Sequence, residues 1–243
     1  MRRIIVLTFI VLYLLFSIPY LLLTYCVHLF SRDLTRRMAY LFSRVYAISL
    51  LKIMGANLII TGLENLDENN NYLFVSNHIS LLDSPVLMTF VKKPLSFISK
   101  MEMKKAPILS NWMTLLHCLF LDRTSNRKGL KTILQGIEQM KLGDHLAIFP
   151  QGTRSKDGVF LPFKAGSFKL ATKSNKPILP IVISGTERVF ENNGLNCKPG
   201  NVYIHIFPAV TTEGLSLELQ KSLNNKIQAL IEDKYNEFES LHG

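Results

Sequence analysis

The chain has 243 residues, 48% of them hydrophobic, and a mean hydropathy of +0.19, which excludes intrinsic disorder. Lys and Arg number 28 against 18 Asp and Glu, a net charge of +10 that calls for an anionic partner without choosing between nucleic acid, membrane and a charged metabolite. Three widely spaced cysteines, Cys26, Cys118 and Cys197, support neither a disulfide framework nor a zinc knuckle.

The charge falls in two zones. Residues 1–55 carry seven basic residues and a single acid, Asp33, while residues 92–176 carry sixteen basic residues and five acids. The first zone flanks an oily run, since the 28 residues between Arg3 and Arg32 include no Asp, Glu, Lys or Arg. As one helix this run is roughly 42 Å long, more than the ~30 Å core of a bilayer needs. Leu23-Thr24-Tyr25-Cys26 lacks the small residues of a cleavage site, which argues against a signal peptide. Two readings remain, a single span and a hairpin held in one leaflet. Cations at both ends leave a span without a clear orientation, and Pro19 would kink it. The following segment, from Met38 to Gly55, is apolar around Arg37, Arg44 and Lys52, whose spacings of seven and eight share one helical face. That pattern predicts an interfacial helix with its cations on lipid phosphates, and it favours the hairpin.

From Ala56 onward, short β-rich runs alternate with helical ones. Seven runs are suited to buried strands: Asn57–Thr61, Tyr72–Ser76, Leu95–Ser99, Cys118–Asp122, His145–Phe149, Ile178–Ser184 and Val202–Phe207. Leu130, Ile133, Leu134, Ile137 and Met140 mark a helix stopped by Gly143, and Leu219 to Ile231 mark a last one. The expected fold is α/β, a mostly parallel twisted sheet flanked by helices. The expected division is residues 1–55 as a two-helix membrane-associating motif and residues 56–243 as the α/β domain. Loops at the strand ends are then the candidate functional surface.

Two of those loops carry chemistry. The run Tyr72–Ser76 empties into Asn77-His78-Ile79-Ser80-Leu81-Leu82-Asp83-Ser84-Pro85. A histidine beside a carboxylate can act as general base, the carboxylate fixing its tautomer. The plainer alternative is a strand-end His and an Asp that assists a helix start, with Pro85 in the first turn and Ser84 as its cap. The run His145–Phe149 empties into Pro150-Gln151-Gly152-Thr153-Arg154-Ser155. There glycine permits close backbone approach, exposed N–H groups can face an anion, and arginine offers a fork to phosphate, although a solvated turn would use the same residues.

Taken in order, His78 with Asp83, Phe120-Leu121-Asp122-Arg123, Phe149-Pro150-Gln151-Gly152-Thr153-Arg154-Ser155 and Leu179-Pro180-Ile181-Val182-Ile183-Ser184-Gly185 resemble the four blocks of the glycerolipid acyltransferase family. The likeness is to its bacterial lysophosphatidic acid acyltransferases, and it runs from Tyr72 to Gly185. The resemblance implies that His78 deprotonates the 2-hydroxyl of lysophosphatidic acid, that Asp83 orients His78, and that an acyl thioester of acyl carrier protein or coenzyme A is attacked directly. It implies that Arg154 with the Gly152-Thr153 backbone holds the acceptor phosphate, helped by Arg123 and Lys100. It further implies no metal and no cofactor and a place on the bacterial cytoplasmic membrane; since acyl thioesters are made in the cytoplasm, the hairpin reading then predicts a monotopic attachment with the catalytic domain facing the cytoplasm. Membrane lipids, lysophosphatidic acid and the thioester carrier are then the partners, and nucleic acid is not. Two positions depart from the family pattern: Gln151 replaces a usual Glu, and His117 stands where Gly is frequent, which would reshape an adjoining pocket. The alternatives are an acyltransferase for another lysolipid, such as a lyso-ornithine lipid, and a non-catalytic lipid-binding relative.

Overall fold

A computed structural model describes residues 2–122, 124–155, 159–194 and 196–242. The chain order is α1 (Arg2–Phe16), α2 (Ile18–His28), α3 (Arg32–Met54), β1 (Ala56–Thr61), β2 (Leu73–Ser76), α4 (Asp83–Phe90), β3 (Leu95–Lys100), α5 (Leu109–Leu115), β4 (Leu119–Leu121), α6 (Asn126–Lys141), β5 (His145–Ile148), α7 (Lys169–Ser174), β6 (Ile178–Ser184), α8 (Thr186–Val189), β7 (Gly200–Ile206) and α9 (Leu217–His242). Each of the seven expected strand runs holds a strand.

The described residues form a seven-stranded sheet in the order β1-β7-β6-β2-β5-β3-β4. All neighbours run parallel except β6 and β7, so β1 and β7 point against the other five. The strand period of two sorts the core by face. Phe74, Ala147, Leu179, Ile181 and Ile183 join α3, α4 and α5 on one side. Leu73, Val75, Leu146, Ile148, Ile178 and Val182 join α6, α7 and α9 on the other. With both faces covered, the carboxyl ends of β2 to β6 form one free rim, where every motif loop emerges.

The N-terminal run is not one straight helix. It bends by 41° between α1 and α2, and no single helix in the described residues is long and apolar enough to cross a membrane, although the bent pair passes by length and composition. The break lies at Ser17, two residues before Pro19: the Ser17 hydroxyl donates back to the Leu14 carbonyl at 2.7 Å and accepts the Trp112 indole N–H at 3.0 Å. Phe42 stacks on the same Trp112 with centroids 4.2 Å apart. After a turn at residues 29–31 the chain reverses into α3, capped by the Ser31 hydroxyl and ended by Gly55 in the left-handed region. A large apolar surface stays open on these helices; Phe16, Leu29 and Phe30 are 79%, 81% and 89% exposed.

Arg37 and Lys52 are exposed, while the expectation that the α3 cations reach lipid fails for Arg44. The Arg44 guanidinium turns inward and donates to the carbonyls of Met88 (3.2 Å) and Thr89 (2.9 Å), filling the unpaired acceptors at the end of α4. Arg36 likewise turns inward, pairing with Asp144 and donating to Ser96 Oγ at 3.0 Å.

Candidate active site

β2 is followed by Asn77, which is fully buried and continues the ladder with its side chain: Nδ2 donates to the Ile183 carbonyl at 2.7 Å and Oδ1 accepts the Ile183 N–H at 2.9 Å. This locks the first motif loop onto β6 and fixes the direction in which His78 leaves the sheet. α4 begins at Asp83, not after Ser84; Leu82 occupies the cap position and Val86 N–H closes the first turn on the Leu82 carbonyl at 2.9 Å. Pro85 therefore lies in the first turn, where its missing N–H is harmless. Its restriction on Ser84 is overridden because the turn is held from Asp83.

Asp83 is fully buried, and four donors converge on it. Oδ2 accepts His78 Nδ1–H at 2.7 Å, Ile79 N–H at 2.8 Å and Ser80 N–H at 2.9 Å, while Oδ1 accepts the Thr186 hydroxyl at 2.7 Å. A carboxylate committed in this way assigns the imidazole proton to Nδ1 and leaves the Nε2 lone pair for chemistry. The ring is stacked on Phe149, with centroids 4.3 Å apart and planes 17° apart, so its orientation is fixed twice. Nε2 has no hydrogen-bond partner among the described residues, and the His78 side chain keeps 19% of its surface exposed. A buried acceptor, an oriented ring and an open nitrogen are the geometry that a general base requires.

The third block wraps around the first. Gln151, 3% exposed, accepts the His78 backbone N–H on Oε1 at 2.5 Å and donates from Nε2 to Ser155 Oγ at 2.9 Å. Ser155 N–H in turn donates to the His78 carbonyl at 2.8 Å. Gly152 turns the loop at φ +76°, a conformation that a side chain would strain, and its N–H donates to the Phe149 carbonyl at 2.9 Å. Arg154 follows, its guanidinium paired with Glu191 at 2.9 Å. Glu191 also accepts Leu81 N–H at 2.8 Å and the Ser80 hydroxyl at 2.7 Å. One carboxylate thus ties the arginine of the third block to the backbone of the first.

His78, Asp83, Gln151, Gly152, Thr153 and Arg154 are therefore brought together at the carboxyl rim. Lys100, exposed at the end of β3, lies on the same rim without a side-chain contact to them. Arg123 lies outside the described residues. His117 is a correction. It precedes β4 and its ring faces Asp144, which precedes β5, at 3.4 Å, so it sits at the amino ends of the strands and shapes no pocket beside His78. Its φ of +60° is the left-handed conformation that glycine adopts at no steric cost.

Sequence reasoning missed Glu191 and Thr186. Thr186 stands one residue beyond the fourth block, after Gly185 at φ +93°, where an added Cβ would meet the Asn201 carbonyl oxygen at 2.5 Å. A hydroxyl directly after a glycine at a strand exit was the available signal. Glu191 had none, because its role depends on a short 3₁₀ turn that folds back over Ser80. Glu187, on α8 beside this cluster, has its carboxyl pushed up to about 6, chiefly by burial, with the charges of Glu239 and Asp83 adding and Arg188 opposing. Among the described residues no three His, Cys, Asp or Glu side chains are grouped to hold a metal.

An α/β sheet with a His–Asp pair and an arginine-bearing loop on one rim has the arrangement of a group-transfer enzyme site. A family model described as Acyltransferase matches residues 57–184, more than half of the chain, with the first three blocks and the fourth as far as Ser184, and the chain belongs to that family. It is 28% identical over 198 residues to a 1-acyl-sn-glycerol-3-phosphate acyltransferase of Borreliella burgdorferi, covering 82% of this chain and 79% of that one. A protein of the same description from Saccharomyces cerevisiae is 30% identical over 192 residues, 77% of this chain and 63% of its own length. Among solved structures, the 1-acyl-sn-glycerophosphate (LPA) acyltransferase PlsC of Thermotoga maritima superposes with a TM-score of 0.79 at 27% identity, covering 98% of both chains.

Proposed function

We propose that this chain transfers a fatty acyl group from a thioester to the 2-hydroxyl of 1-acyl-glycerol-3-phosphate, giving phosphatidic acid. The acyltransferase class and the lysophosphatidic acid acceptor agree with the descriptions of its relatives in bacteria, plants and yeast. The observation that carries the catalytic part is the His78–Asp83 pair, 2.7 Å apart at a strand exit with every Asp83 oxygen engaged.

In this reading His78 Nε2 takes the proton of the acceptor hydroxyl as its oxygen attacks the thioester carbonyl carbon. The buried Asp83 stabilises the imidazolium. The tetrahedral intermediate collapses, the carbon–sulfur bond breaks, and the thiolate of coenzyme A or acyl carrier protein leaves with the proton from His78. No acyl-enzyme forms. Arg154, the Gly152-Thr153 backbone, Lys100 and Arg123 hold the acceptor phosphate, which explains the positive middle zone. The reaction needs no metal or cofactor.

Gln151 bears on the alternative of another lysolipid acceptor. Its side chain is spent on the His78 and Ser155 loops, so it acts through them rather than on the acceptor. That favours lysophosphatidic acid over a retuned acceptor, and the intact Asp83 cradle favours an enzyme over a lipid-binding relative. We assign residues 1–55 to membrane attachment and residues 56–243 to catalysis. With the open apolar faces of α1, α2 and α3 in one leaflet and the donors made inside the cell, attachment is monotopic on the cytoplasmic face of the bacterial membrane. Turnover of lysophosphatidic acid with acyl-coenzyme A or acyl carrier protein, scored by product mass, tests the reading.

A further inference from the structure

At the end of the sheet opposite His78, a cleft of 540 Å³ opens between α3 and the amino ends of β2, β3 and β5. Five cations line it, Arg36, Arg37, Arg44, Lys92 and Lys93, against two carboxylates, Asp33 and Asp144. The acids do not cancel that charge. Asp144 is taken by Arg36, and Asp33 makes only an exposed pair with Arg37 at 2.9 Å, which salt screens. Arg44 is held on carbonyls, Lys92 meets Glu68 outside the cleft, and Lys93 has no carboxylate partner among the described residues. His145 in the wall responds to this charge: burial first, then Lys93 and Arg36, push its pKa down to about 4.

The lips of the cleft are apolar. Leu41 lines it and belongs to an exposed stripe of α3 with Leu34, Val45 and Ile48, all between 43% and 59% exposed. Leu142, on the opposite lip, is 86% exposed. A soluble phosphate compound would use the cations and leave these leucines in water. A phospholipid satisfies both, its headgroup on the cations and its chains against the stripe.

We propose that this cleft seats the phosphate of an anionic phospholipid, as a lipid site separate from the acyltransfer centre. It lies a sheet length from Arg154 and stands whether or not His78 is the base. Its occupant fixes how α3 and the sheet sit on the membrane surface, because the same helix carries the apolar stripe.

The test is native mass spectrometry of the full chain in neutral detergent with equimolar phosphatidylglycerol and phosphatidylcholine. Arg37→Gln/Lys93→Gln removes two cleft cations whose only ion pair among the described residues is the exposed Arg37–Asp33 contact within α3, and Arg154→Ala serves as the active-site control. Wild type and Arg154→Ala are expected to retain phosphatidylglycerol over phosphatidylcholine. The double variant is expected to retain about tenfold less phosphatidylglycerol, with phosphatidylcholine unchanged. Its turnover of a detergent-dispersed acceptor should match wild type, which establishes that it is folded. Equal phosphatidylglycerol retention by the double variant, or loss in Arg154→Ala instead, would overturn the site. Displacement of the lipid by millimolar inorganic phosphate would overturn the lipid as its occupant.

Discussion

The Gln151 amide holds the His78 backbone from across the rim, its Oε1 2.5 Å from the His78 nitrogen, so the third motif block sets the position of the base in the first. Glutamate would keep that acceptor and accept a hydrogen bond from the Ser155 hydroxyl on its other oxygen. Gln151→Glu is therefore expected to turn over lysophosphatidic acid within about threefold of wild type, whereas Gln151→Leu strands a buried N–H, costs about 1–3 kcal/mol, and lowers kcat with loop order. Steady-state kinetics on a lysolipid panel check both. A switch of acceptor preference in Gln151→Glu would show that position 151 touches substrate.

The pairing of Arg154 with Glu191 separates two contributions to acceptor binding. Arg154→Lys replaces a fork by a point charge and should raise acceptor KM about tenfold with donor KM unchanged. Glu191→Gln keeps the hydrogen-bond acceptor but removes the charge that aims the guanidinium, and should raise acceptor KM more modestly. If donor KM moves instead, Arg154 serves the thioester carrier and the phosphate assignment is wrong.

Much of this architecture is legible in the sequence, for identifiable reasons. Strands buried on both faces read as continuous apolar runs, so Tyr72–Ser76 and His145–Phe149 declare themselves, and their exits locate His78 and Arg154. The reversal of β7 is not legible, because the alternation of buried and open positions along a strand carries no mark of its direction. Arg44 looked like a lipid-facing cation since α3 is amphipathic, yet the carbonyls at the end of α4 claim it. Glu191 and Thr186 escaped because they act through long-range hydrogen bonds that leave no period in sequence.

Glu187 gives a pH signature to stability. Its folded pKa, about 6, exceeds the ordinary 4.5, so the folded chain holds that proton more tightly than the unfolded chain. Stability is full below pH 4.5 and falls as pH rises toward 6, by about 2 kcal/mol in all. Glu187→Gln removes the penalty. Its Tm should exceed that of wild type at pH 8 and converge with it near pH 4.5; a constant difference across that range would contradict the assignment.

Monotopic attachment is tested at the turn between α2 and α3. Phe30 is 89% exposed there and, unlike Ser31, caps no helix. A single cysteine at position 30 in a cysteine-free background should resist a membrane-impermeant thiol reagent in intact cells and react once they are opened. Labelling from outside would mean that the bent α1–α2 pair crosses the bilayer.

The central claim is that His78, aligned by Asp83, is the base for acyl transfer to lysophosphatidic acid. Its most direct test is product formation by purified wild type, His78→Ala and Asp83→Asn with lysophosphatidic acid and acyl-coenzyme A or acyl carrier protein, alongside thermal unfolding. The account predicts phosphatidic acid from wild type and a rate lower by about 10²–10⁴ for His78→Ala, with unfolding and liposome binding unchanged. Near-wild-type turnover by a folded His78→Ala would contradict it.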